Sequence, residues 1–240
     1  MTTDRLELLL AFGIVAVHLL DAMRFLRPRE ALVELLGAHR WRVLFGAVRF
    51  ELLGRRPTMP NPLRPDRALW LAHWRPGGGA AAAPAVACAA GTRGSAVLGA
   101  LCAALLVIVV VAAPVLLMIG EGFWFAAAIT AGYVVALAAA AVLVVRAADF
   151  GLRRSQAIGI GAIGVICLPC APNLLRAACG NRTLSVELPA FAEASAGDRE
   201  RRGFRQRFRR VLQNELAASG DDPRQDEELK AVLRRIGAGP

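Results

Sequence analysis

Two stretches of the chain carry no charged residue at all, Ala96 to Ile119 and Phe123 to Val145. Each is long enough to be a transmembrane helix, which needs about 20 apolar residues to cross a hydrocarbon core of about 30 Å. Only Gly120-Glu-Gly122 separates them, so the pattern predicts a membrane hairpin closed by a tight turn. Pro114, near the end of the first predicted helix, is expected to kink it. A third apolar segment, Leu6 to Leu26, is long enough to span but carries Glu7, His18 and Asp21. At about 100° per residue these three fall on one stripe of a helix, and a spanning helix turns such a stripe toward protein. A fourth, Ala157 to Leu175, is also free of charge, but Pro169, Pro172 and Asn173 interrupt it.

Between and after these runs the pattern is amphipathic. Pro28 to Leu36 reads as a short helix ended by Gly37, and Trp41 to Leu53 as a second with Leu44, Phe45, Val48 and Leu52 on one face. Asp66 to Trp74 reads as a third, and Gly77 to Gly91 as a Gly and Ala connector. Trp41, Trp70 and Trp74 beside arginines fit helices lying at the headgroup boundary. Near the C-terminus, Arg199 to Arg210 with Phe204, Phe208, Val211 and Leu212 predicts a basic amphipathic helix. Leu229, Val232, Leu233 and Ile236 predict one more after Pro223. The expectation is therefore an all-α, polytopic integral membrane protein. Its regions are an N-terminal span (1–26), an Arg-rich cytoplasmic or interfacial region with connector (27–95), the hairpin and Pro-broken segment (96–178), and a basic amphipathic tail (179–240).

Composition sharpens this picture. The 240 residues are 56% hydrophobic with mean hydropathy +0.47, yet carry a formal net charge of +10, so apolar and charged residues must be segregated along the chain. In a soluble protein such a charge would point to nucleic acid, but the positive-inside rule accounts for arginines flanking apolar spans. The partners expected are the lipid bilayer, anionic headgroups, and a membrane protein or a second copy of the chain, with no nucleic acid. The five cysteines, Cys88, Cys102, Cys167, Cys170 and Cys179, sit in apolar surroundings and do not form the pattern of a disulfide framework.

The candidate chemistry concentrates in Gly159 to Asn173, GIGAIGVICLPCAPN. Its G-x-G-x-x-G follows Arg153, Arg154, Ser155 and Gln156 where a dinucleotide fingerprint needs a strand, and leads into more apolar chain. Close helix approach at Gly159, Gly161 and Gly164 is the better reading. Pro169 and Pro172 remove amide donors and release carbonyls near Val165 and Leu168, which in lipid must find other partners. Cys167-Leu-Pro-Cys170 is a C-x-x-C, a spacing that permits an exchangeable disulfide. It resembles, over those four residues, the dithiol of membrane thiol oxidoreductases related to vitamin K epoxide reductase, which are helical bundles. The resemblance implies that Cys167 and Cys170 exchange electrons as a pair. That family uses a second cysteine pair in an external loop, and Gly120-Glu-Gly122 contains none. No spacing assembles a four-ligand metal site, and no cofactor or hydrolase signature is implied.

Charge placement orients the spans. Arg24, Arg27 and Arg29 put the inner end of the first segment at its C-terminus, and the hairpin then leaves from and returns to the cytoplasm. A full crossing by Ala157 to Leu175 would carry Arg176, Arg182 and the Arg199 to Arg210 run outside, so a re-entrant segment is favoured, in the inner membrane of a bacterial-type cell. The expected function is that of a non-enzymatic scaffold, assembly or partner-binding protein. Two alternatives stand beside it: a small transporter or proton-coupled protein using Glu7, His18 and Asp21, and a thiol-disulfide oxidoreductase using Cys167 and Cys170.

Overall fold

A computed structural model describes residues 3–27, 29–37, 40–46, 52–74, 93–180, 183–189, 191, 198–218 and 223–237. The chain forms two compact units between which it passes repeatedly. One comprises Met1–Met23, Met59–Ala68 and Ala89–Arg182; the other comprises Arg24–Thr58, Leu69–Cys88 and Thr183–Pro240.

The first unit is helical. Helix α1 (Thr3–Ala22) is followed, after an excursion of the chain, by α2 (Arg93–Leu105), a π-helical stretch (Leu106–Ala112) and α3 (Ala113–Met118). Together Gly94–Met118 make one apolar helix of 25 residues, and α4 (Gly122–Val145) makes a second of 24. Among the described residues these two are long and apolar enough to cross a membrane. The wide π turn lies just before Pro114, whose ring and missing amide disrupt regular α-helical bonding. Helix α4 buries Gly132, Ala136, Ala139 and Leu143, a narrow seam of mostly small residues, and exposes Phe123, Trp124, Val134 and Leu137. An apolar helix that buries its small side chains and exposes its large ones is the inverse of a soluble core helix, and matches packing in lipid. Helix α1 behaves similarly, exposing Leu8, Leu9, Phe12 and Leu20 while Ala11, His18 and Ala22 are buried.

Helix α5 (Arg154–Ile166) starts where Gln156 Oε1 accepts from the Arg153 amide. It ends at Cys167, and a 3-10 turn (Leu168–Asn173) leads into α6 (Leu174–Gly180). The glycines of α5 explain its motif: a Cβ on Gly161 would stand 3.0 Å from that of Ala140 on α4, and one on Gly164 would meet the side chain of Leu174. Gly159, by contrast, faces open space. The Gly164 to Leu174 contact also fixes the path of the chain. Ten residues apart in a continuous helix would lie about 15 Å apart along the axis, so the chain doubles back at the break.

The second unit corrects the all-α expectation, because the described residues include two sheets. Strands β1 (Arg24–Leu26) and β4 (Arg56–Thr58) pair antiparallel. Strands β2 (Glu30–Gly37), β3 (Arg40–Phe45), β5 (Leu69–Trp74) and β6 (Thr183–Val186) form a mixed sheet in the order β3-β2-β5-β6, with β5 and β6 parallel. The helices expected at Pro28 to Leu36 and within Asp66 to Trp74 are therefore strands, as is the first part of the Trp41 to Leu53 segment. The physical reason lies in burial: Ala31, Leu32, Val33 and Glu34 are all buried, so the central strand is covered on both faces and reads as a continuous apolar run. In β3 the sequence Arg-Trp-Arg-Val alternates, and Trp41 and Val43 point to the buried face. Residues 47–51 of the Trp41 to Leu53 segment, the Gly77 to Gly91 connector with Cys88, His39 and the Asp221-Asp222 pair lie outside the described residues.

Helices α7 (Asp198–Ala218) and α8 (Pro223–Gly237) complete the unit. Phe204 and Phe208 of α7 stack on each other, and both lie against Phe45 of β3. Trp41, Trp70 and Phe191 form an adjacent edge-to-face cluster on the same sheet face. The apolar face of the basic helix is thus covered by the sheet. Arg56 and Glu215, both nearly buried, add an ion pair of 2.7 Å between β4 and α7.

Candidate functional site

The polar groups of the first unit converge where α1, the proline-rich loop Met59–Ala68 and the α5 to α6 break meet. His18 is buried at 1% exposure, and its ring nitrogens face two backbone carbonyls. Nδ1 lies 3.3 Å from Pro169 O, and Nε2 lies 3.2 Å from Pro62 O. A neutral imidazole donates one hydrogen bond, so only the doubly protonated ring donates to both carbonyls. One turn further along α1, Asp21 Oδ2 accepts from Asn173 Nδ2 at 2.9 Å. Two groups of α1 spaced three apart therefore hold two groups of the break spaced four apart.

Arg176, on the first turn of α6, is buried to the same degree as His18. Its Nη2 donates to Asn61 O at 2.6 Å and to Arg64 O at 2.7 Å, and its Nη1 donates to Asn173 Oδ1 at 3.4 Å. A planar guanidinium can serve several carbonyls at once, and this one ties the proline-rich loop to the break. Within that loop Arg64 pairs with Asp66 through two contacts of 3.1 Å. Partial burial alone would push the Asp66 carboxyl up, but the Arg64 hydrogen bond and charge, helped by Arg67, outweigh it and hold the carboxyl below its ordinary value. The loop backbone at Asp66 packs closely on Gly99 of α2, where an added Cβ would stand 3.2 Å from Asp66 O.

Cys167 and Cys170 form a disulfide within this break. The turn that joins them is closed by the Cys170 amide donating to Cys167 O at 2.8 Å, which sets their Cα atoms 5.4 Å apart, inside the range a disulfide spans. Both residues are half-buried, while Cys102 and Cys179 are buried and form no disulfide. Pro169, whose carbonyl His18 holds, lies between the two sulfurs in sequence, and Ala171 O lies 4.0 Å from the Cys102 sulfur.

Of the residues singled out from sequence, His18, Asp21, Cys167, Pro169, Cys170 and Asn173 come together in this region. Pro172 is buried in the same 3-10 turn. Glu7, near the other end of α1, is half-exposed and stands three helical turns from His18. Arg176, Asn61 and Arg64 are the members that sequence reasoning missed. Arg176 reads as an orienting charge at the end of an apolar run, although its position three residues after Asn173 is a signal that the two share a helix face. Among the described residues no three His, Cys, Asp or Glu side chains are placed to hold a metal. No protein-family model matches the chain, and neither a curated protein nor a solved structure does.

Proposed function

We propose that this chain is a membrane-anchored thiol-disulfide exchange protein whose working pair is Cys167 and Cys170. The observation that carries the reading is the disulfide itself, held in a half-buried turn at a helix break and braced by buried polar groups. In the exchange, a thiolate of a partner dithiol attacks one sulfur, the Cys167–Cys170 bond breaks, and a mixed disulfide forms while the other cysteine leaves as thiolate and takes a proton. The partner's second thiolate then resolves the mixed disulfide. The partner departs as a disulfide, and two electrons and two protons rest on the pair. With no second cysteine pair in Gly120-Glu-Gly122, the dithiol that reduces the pair is taken to belong to a separate partner, and a disulfide reoxidises it.

The bilayer partner is supported by the two apolar helices, and a bacterial inner membrane with basic loops on the cytoplasmic side remains part of the proposal. Anionic headgroups are the complementary partner for the exposed arginines Arg202, Arg209 and Arg210 of α7. A non-enzymatic scaffold is the second reading. It is favoured by the engagement of His18, Asp21, Asn173 and Arg176 with one another and with backbone, a brace that needs no substrate. The same engagement weighs against a transport pathway along Glu7, His18 and Asp21.

The test uses the full chain with Cys88, Cys102 and Cys179 replaced by Ala. Membranes are quenched in acid, and free thiols are tagged with a maleimide polymer that shifts the band on a gel. The exchange reading expects an oxidised pair that a dithiol reduces and a disulfide restores. It also expects Cys167→Ser or Cys170→Ser to trap partners in mixed disulfides. A pair that is always reduced in membranes and is not reoxidised by a disulfide leaves the scaffold reading in its place.

A further inference from the structure

Disulfide exchange alone gives no reason for the pair to be held by α1. His18 and Asp21 reach the break on either side of Cys170, at Pro169 O and at Asn173, and His18 is at the same time seated on Pro62 O of the loop. Pro169 has no amide of its own, so its carbonyl is the main polar handle by which the Cys167 to Cys170 turn can be gripped from outside. The turn that brings the two Cα atoms within disulfide range includes that peptide.

We infer that His18 is a positioning residue for the Cys167–Cys170 pair: by holding the Pro169 carbonyl it keeps the turn in the closed geometry and so favours the disulfide over the dithiol. This rests on the exchange reading. Reduction adds a proton to each sulfur and removes the bond between them, so the two sulfurs must move apart to van der Waals distance, and a backbone held at disulfide spacing leaves that movement to side-chain rotation alone. A group that grips the closed turn therefore makes the disulfide harder to reduce. Asp21, through Asn173, acts in the same sense from the far side of Cys170.

The experiment measures the equilibrium between the pair and mixtures of reduced and oxidised dithiothreitol. The full chain lacks Cys88, Cys102 and Cys179, sits in lipid nanodiscs, and is read by the maleimide gel shift. Wild-type His18 is compared with His18→Phe, which keeps a flat ring without N–H donors, and with His18→Leu. Phe12→Ala on the exposed face of α1 is the control. For a buried hydrogen bond lost from the closed state, both His18 variants are expected to be reduced about tenfold more readily, a shift of about 30 mV. Asp21→Ala, which leaves His18 in place, shifts the midpoint in the same direction and serves where the His18 variants do not fold. Phe12→Ala does not shift it. Midpoints of the folded variants within about twofold of wild type, less than a lost buried hydrogen bond should give, overturn the positioning role while leaving exchange intact. A wild-type pair that does not titrate reversibly overturns both.

Discussion

Arg176 shows how much one side chain can hold in this fold. Its guanidinium supplies donors to Asn61 O, Arg64 O and Asn173 Oδ1, so it joins the proline-rich loop to α6 and, through Asn173, to Asp21 of α1. Arg176→Met keeps most of the apolar stem and removes all the donors. Stranding buried acceptors costs about 1–3 kcal/mol each, so a loss of about 3 kcal/mol is expected in thermal unfolding of the purified chain. Arg176→Lys should recover part of it, since an ammonium can reach one carbonyl but lacks the fork that serves several. Equal stability of the Met variant and wild type would mean that the loop is held by its packing on Gly99 instead. At this scale the sequence is partly legible. The stripe of Glu7, His18 and Asp21 follows from helical geometry alone, whereas His18 and Arg176 are met chiefly by backbone carbonyls, Pro169 O of the break and Asn61, Pro62 and Arg64 O of the loop, and side-chain spacing carries no record of them. The G-x-G-x-x-G resolves in the same terms: Gly161 and Gly164 meet Ala140 and Leu174, and Gly159 meets nothing.

Elements built from long apolar runs are legible because lipid leaves no alternative to a helix for satisfying the backbone. Gly94–Met118 and Gly122–Val145 are such runs, each long and apolar enough to cross a membrane. The strands of the second unit are not, since a short run such as Ala-Leu-Val-Glu-Leu-Leu satisfies a buried strand and a helix equally well, and although β3 follows at once, its other pairing partner, β5, lies far along the chain. Helix α7 is intermediate: its amphipathic pattern is plain, but the pattern does not say whether lipid or protein covers the apolar face. Here β3 covers it, with Phe45 against Phe204 and Phe208. The Arg56–Glu215 pair then joins α7 to β4 with little access to water. Glu215→Ala leaves Arg56 charged and nearly buried, and should destabilise the unit by about 3–5 kcal/mol. Replacing both residues, Arg56→Met with Glu215→Leu, should restore most of that. Limited proteolysis of the full chain, followed at the α7 segment, reads the difference. A double replacement as susceptible as the single one would show that the pair acts through shape and not through charge.

On the proposed membrane reading, the segment from Arg154 to Gly180 either crosses the bilayer or re-enters it. Helix α5 has 13 residues and so reaches about 20 Å, short of the roughly 30 Å of a hydrocarbon core. If α6 continued in the same direction the segment could cross, but the seating of Leu174 on Gly164 turns the chain back along α5. The turn carries its own means of surviving at depth: the Pro169 carbonyl is met by His18, the Asn173 amide by Asp21, and the Arg176 charge by carbonyls of the proline-rich loop. These partners are what a broken segment buried in protein requires and what a lipid-exposed one lacks. The expected outcome is that residues before and after it lie on the same side of the membrane. Reporter fusions placed after Gly151 and after Ala218 should both be active as cytoplasmic reporters, with a fusion at Gly120 active only as an external one. Opposite sides for the Gly151 and Ala218 fusions would mean a full crossing. The Arg-rich helix α7 would then stand outside the cell, and its exposed arginines would lose the orienting role that the positive-inside rule assigns them.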